Sequence, residues 1–145
     1  MRVVKTLQVS AEALFGVIAA SAAADAEAAG VKSAAEKLRE GYRYKKQVPN
    51  RRRGTDTAHV TIERFERARA YRSRLESPQG TYVFSYELVP QGAGEVEVTY
   101  EEEVGQAAGY TGVDGWFGRK LYDRKAKKRA LQMLSAMEGY VAEQG

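Results

Sequence analysis

The side chains able to do chemistry are few, and their types restrict what that chemistry can be. The chain has no cysteine and one histidine, His59. Disulfides, thiolate nucleophiles and cysteine-based zinc sites are therefore excluded, and any serine–histidine or carboxylate–histidine scheme rests on one imidazole. His59 lies between Ala58 and Val60 in an alternating segment, so it points away from them, onto a charged face. The run Glu101-Glu102-Glu103 offers carboxylates for acid–base work or for a cation, but alternation turns Glu101 and Glu103 outward and leaves Glu102 alone inside. A single inward carboxylate is the one candidate general base. No catalytic residue is assigned, and no metal or cofactor is expected.

Two further patterns invite a ligand. Gly109, Gly112, Gly115 and Gly118 are spaced like a phosphate loop. They follow an antiparallel segment, however, and lack the Gly-Lys-Ser/Thr ending, so they read as a flexible entry to a helix. Arg119, Lys120, Arg124, Lys125, Lys127, Lys128 and Arg129 crowd one stretch, relieved by Asp123, and Arg51-Arg52-Arg53 adds a basic loop. Clustered cations supply phosphate affinity for nucleic acid or an anionic membrane. Only Tyr122 interleaves with them and no recognition fold is evident, so nucleic acid is disfavoured and a solvated helix face is the expectation. The net charge of +4 serves solubility more than it names a partner.

The elements that must position these residues follow from periodicity. At 145 residues, 43% of them hydrophobic, the chain is expected to form a single domain (1–145) that buries about 70% of its unfolded surface. Arg2 to Val9 alternates as a strand, with Val3, Lys5, Leu7 and Val9 on one face. Ser10 then caps an alanine-rich helix running to about Ala29, with Gly30 as its stop. Ser33 and Glu36 form the ends of a capping box for a second, short helix. Arg2 and Lys5 before Leu14 to Ala20 mimic a secretory signal, but Gln8, Ser10 and Glu12 interrupt the apolar region. No run reaches the ~18 apolar residues of a membrane span, so a cytoplasmic protein is expected.

From Gly41 the period becomes two and stays so for about sixty residues. Tyr82, Phe84, Tyr86 and Leu88 make the clearest row, Val96, Val98, Tyr100 and Glu102 the last, and Phe65 falls out of phase, which predicts a bulge. After the glycine-spaced connector, Asp114 caps a helix from about Gly115 to Ala142. Its ends are apolar: Trp116, Phe117 and Leu121 at one, Leu131, Leu134, Met137 and Val141 at the other. Between them the inward direction carries Arg124 and Lys128, a polar gap where a cavity would lie. The fold class is α+β: a curved antiparallel sheet of about six strands around a long C-terminal helix, with two short helices after the first strand.

Val4-Lys5-Thr6-Leu7-Gln8-Val9-Ser10-Ala11-Glu12, Tyr44-Lys45-Lys46, Val98-Thr99-Tyr100-Glu101-Glu102 and Lys127-Lys128-Arg129 with Met133-Leu134 resemble a bacterial family known as domain of unknown function 3284. The order of elements resembles the helix-grip architecture of START-like and pollen-allergen-like (SRPBCC) ligand-binding domains. That resemblance implies a cavity between sheet and last helix, and no functional residue is carried over from it. Tyr44, Tyr71, Ser73, Tyr86, Tyr100, Glu102 and Arg124 are the residues expected to reach into such a cavity. They would bind a hydrophobic, amphipathic or acidic small molecule, with Arg124 favouring a carboxylate or phosphate headgroup. The alternatives are a cyclase- or hydratase-like enzyme using Glu102 and a tyrosine hydroxyl, and a protein- or nucleic-acid-interaction module using the basic helix.

Overall fold

A computed structural model describes residues 1–50, 52, 54–106 and 116–144, with the side chains of 106 and 116–122 outside the description. Arg51, Arg53, the connector glycines at 109, 112 and 115 and the Asp114 cap therefore lie outside the described residues. So do the side chains of Trp116, Phe117, Arg119, Lys120, Leu121 and Tyr122.

Strand β1 (Arg2–Leu7) leads into α1 (Ala11–Ala28) and α2 (Ala34–Lys37), then come β2 (Arg43–Asn50), β3 (Gly54–Glu66), β4 (Ala70–Ser77), β5 (Gly80–Gly92), β6 (Glu95–Gln106) and α3 (Trp116–Gln144). The six strands form one antiparallel sheet in the order β1-β6-β5-β4-β3-β2. The last five strands are a meander, and the first returns to pair beside β6, with Val3 opposite Tyr100 and Leu7 opposite Val96. This is the curved sheet and long final helix that the period-two pattern and its helical ends predict.

Local chemistry sets the boundaries. Ser10 is extended and its hydroxyl accepts from the Ala13 N–H at 3.0 Å, satisfying one of the orphan donors of α1. Gly30, at φ +100°, carries the chain out of the helix, where the Val31 N–H closes back on the Ala26 carbonyl at 3.0 Å. The expected capping box at Ser33 does not form. Ser33 itself is left-handed, its hydroxyl makes no cap bond, and its carbonyl accepts the Glu36 N–H instead.

The bulge predicted from Phe65 is present: the β3–β4 register shifts between Ile62 and Arg64, which returns Phe65 to the inner face opposite Tyr71. The inserted residue, Glu63, accepts from Arg72 Nε at 2.9 Å and Arg74 Nε at 3.1 Å. Desolvation pushes its carboxyl up, but the two guanidinium groups outweigh that and hold it below the usual carboxylate range.

The inner face of the sheet supplies Val96, Val98, Leu88, Ile62 and Tyr100 to a core shared with Leu7, Leu14, Phe15, Ile18, Ala130 and Leu134. A smaller cluster of Ala23, Ala26, Ala34, Tyr44 and Val60 seats the far end of α1 and α2 on β2 and β3. Among the described side chains of α3 the buried ones are Ala126, Ala130 and Leu134, while Arg124, Lys125, Lys127, Lys128 and Arg129 are exposed. This corrects the inward placement of Arg124 and Lys128. Two residues on a helix are turned by about 200°, so burying Ala126 sends Arg124 to the opposite side, and Ala126 and Ala130 rather than cations face the core ahead of Leu134.

The phase of α3 is open to a direct check by urea unfolding. Leu134 is 0% exposed and Leu131 40% exposed, so Leu134→Ala is expected to cost about 2–5 kcal/mol and Leu131→Ala within about 0.5 kcal/mol of nothing. Equal losses at both positions would mean that the helix is rotated from this phase.

Candidate functional site

Three elements enclose a cavity of about 350 Å³. Its floor is the inner face of β2 to β5, one wall is α1 and the other is α3. The volume arises where small side chains face one another: Ser21 and Ala22 on α1 look across to Ser73 on β4, a serine set among rings. Larger residues at these points would fill the space, as Leu14 and Phe15 fill it two turns earlier.

The floor is aromatic. Tyr71 and Phe84 lie 5.9 Å apart, Phe84 and Tyr82 5.8 Å, and Phe84 meets Tyr86 edge-on at 6.2 Å. Such pairs each contribute about 0.5–1.5 kcal/mol beyond their area, so the floor holds its shape without a guest. Facing it from α3 are Met133 and Met137; the Tyr86 hydroxyl donates to Met133 Sδ at 3.5 Å.

Polar groups occupy one end. Asp25 of α1 accepts the Tyr44 hydroxyl in a short hydrogen bond and the Lys46 ammonium at 2.7 Å. Tyr44 and Lys46 are alternate residues of β2 and both line the cavity, with Ser21 one helical turn before Asp25. A second polar group lies at the Tyr82 side. Glu102 accepts from the Tyr82 hydroxyl at 2.9 Å and from Tyr100 at 2.6 Å. Neither Glu102 nor Tyr100 belongs to the cavity lining, although Tyr82 does.

Of the seven residues that the sequence singles out, the lining therefore brings together Tyr44, Tyr71, Ser73 and Tyr86. Tyr100 stands behind Tyr86, with ring centroids 4.9 Å apart, and Glu102 sits behind Tyr82. Arg124 is exposed and outside the lining. Sequence reasoning missed Asp25, Lys46 and the methionines. A lone carboxylate on an alanine face was the available signal for Asp25, whereas its meeting with Lys46 depends on packing alone. His59 is half-buried, between Lys45 and Glu76 of the neighbouring strands. Among the described residues no group of histidine, aspartate or glutamate could hold a metal ion, and no helix is long and apolar enough to cross a membrane.

Burial keeps the phenols of Tyr44, Tyr71, Tyr86 and Tyr100 protonated. Desolvation raises Tyr44, Tyr86 and Tyr100 well above the ordinary tyrosine value, reinforced at Tyr44 by the bond to Asp25 and at Tyr100 by the bond to Glu102. Desolvation likewise pushes Tyr71 from 10.0 up to about 12, although a bond with Ser73 works against it. An unfolded chain ionises these phenols first, so the folded state loses stability as alkali is added. For Tyr71 that loss falls between pH 10.0 and about 12. Urea midpoints measured across this window should fall less steeply in Tyr71→Phe than in the parent; parallel curves would contradict the burial of this phenol.

A family model described as Domain of unknown function (DUF3284) matches residues 1–122. No curated protein matches the chain. Among solved structures, the Zhui aromatase/cyclase from Streptomyces sp. R1128 superposes with a TM-score of 0.61 at 16% identity, covering 99% of this chain and 93% of that one. A START superfamily protein from Mycobacterium smegmatis gives 0.58 at 10% identity, covering 100% and 98%. Ara h 8.0201 gives 0.57 at 13% identity, covering 99% and 97%. The likeness at these identities is one of fold: a six-stranded sheet gripping a long C-terminal helix.

Proposed function

The chain belongs to the DUF3284 family and has the helix-grip fold, and from that premise we propose that it binds an amphipathic small molecule with a ring-containing apolar body. The observation that carries this reading is the cavity of about 350 Å³ with its aromatic floor and a polar cluster confined to one end. That size falls within the ~300–1,000 Å³ of small-molecule sites, which are mostly apolar with a few placed polar groups. Rings on the floor offer flat apolar area, and the thioethers of Met133 and Met137 conform to what lies on it.

A guest lying on the rings and thioethers would remove their apolar surface from water, which favours an occupied cavity. The preference for an acidic guest that Arg124 would have given loses its basis, since that guanidinium is exposed. An enzyme built on Glu102 has less support than binding, because its carboxylate stands outside the lining and accepts two phenol bonds.

Titration with the neutral fluorophore N-phenylnaphthylamine tests the reading. Binding should saturate at one molecule per chain. Ala22→Trp, which places an indole in the cavity from α1, should weaken binding about tenfold or more with little change in thermal midpoint, whereas Arg124→Ala should leave it unchanged. Binding that ignores Ala22→Trp would sink the proposal.

A further inference from the structure

The geometry points to the Asp25–Tyr44–Lys46 cluster as a subsite for the guest's polar end, selecting a neutral group that both donates and accepts hydrogen bonds: an alcohol, a phenol or a primary amide. This inference rests on the cavity being a ligand site, and it names the class of ligand that site takes.

Charge and hydrogen-bond direction set this selectivity. Asp25 and Lys46 face the cavity as a bonded pair with Oδ1 to Nζ at 2.7 Å, so the end they form carries both signs and no net charge. A guest carboxylate placed there would gain Lys46 but meet Asp25 at nearly the same distance. A guest ammonium would gain Asp25 but meet Lys46. A hydroxyl or primary amide can donate to the carboxylate and accept from the ammonium at once, opposing neither.

Capacity for this exists. The Lys46 ammonium has three donors and gives one of them to Asp25; among the described residues its others have no protein partner. Tyr44 donates to Asp25 Oδ2, which leaves its phenol oxygen as a further acceptor facing the cavity. Burial and the adjoining carboxylate keep that phenol protonated, so the direction of this bond is fixed. Ser21, one turn away on the same face of α1, adds a hydroxyl at the rim. The side chains of Lys46 and Asp25 are 27% and 42% exposed, so water screens the pair and the selectivity it sets is moderate, about tenfold.

Displacement of N-phenylnaphthylamine by compounds sharing one ring body is the test: naphthol, naphthamide, naphthoate and naphthylmethylammonium at neutral pH. In the parent, naphthol and naphthamide should displace about tenfold more strongly than either ion. Ions are also harder to desolvate, so the charge-altered variants decide the matter. D25N, which keeps the shape, should improve naphthoate about tenfold; K46M should improve naphthylmethylammonium by a similar factor; the double variant should show neither gain. The two single variants make opposite predictions, so loss of fold in one leaves the other to judge. The same ranking in parent, D25N and K46M overturns this inference, and so does a parent that prefers naphthoate. If N-phenylnaphthylamine itself fails to bind the parent, the cavity reading falls together with it; equal displacement by all four compounds overturns the subsite alone.

Discussion

The architecture turns on a mismatch of widths. Six strands about 4.8 Å apart span roughly 24 Å, whereas a helix with its side chains is about 10–12 Å across. One helix cannot cover the inner face of this sheet, so α1 shares the task with α3. Where the two helices meet over β1, β5 and β6 the side chains interdigitate around Leu7, Leu14, Val96 and Leu134. Toward β4, β3 and β2, small residues at Ser21, Ala22 and Ser73 leave the space between helices and sheet unfilled. The cavity is thus a consequence of how the sheet is covered, placed by which residues are small.

The same mismatch explains why the polar cluster can exist. A carboxylate on the covering helix faces a strand near the edge of the sheet, where α1 does not seal the floor from water. Asp25 and Lys46 keep much of their hydration there while pairing, which avoids the desolvation penalty of a fully buried ion pair. The main core cluster, by comparison, is built of apolar and phenolic side chains.

Much of this was legible in the residue pattern. Period two gave the meander, Phe65 announced the bulge, Ser10 announced the cap of α1, and alternation turned Glu102 inward toward Tyr82 and Tyr100. Tyr44, Tyr71 and Tyr86 could be named because aromatic rows on strands declare their face, whereas Tyr82 lines the cavity without having been singled out and Tyr100 stands behind Tyr86. The phase of α3 could not be read in the same way. Its apolar residues Leu131, Leu134, Met137 and Val141 fit two rotations of a helix, and Ala126 and Ala130, which decide between them, look neutral in a sequence. Choosing the rotation that includes Leu131 brings Arg124 inward; packing chose the other. Ser33 failed as a cap for a related reason: its type fits the role, but the turn between α1 and α2 places it in a left-handed conformation. Asp25 and Lys46 are joined across two helices and a turn, and no local pattern records such a meeting.

The methionine wall has a consequence of a different kind. In a chain without cysteine, the thioethers are the sulfur atoms open to oxidation, and of the three methionines two, Met133 and Met137, border the cavity. Conversion to the sulfoxide would turn a pliant apolar wall into a polar, chiral one, opposite an aromatic floor that depends on apolar contact. Oxidant exposure of this protein would therefore register first in what the cavity can hold, before it touched the strands or the basic face of α3.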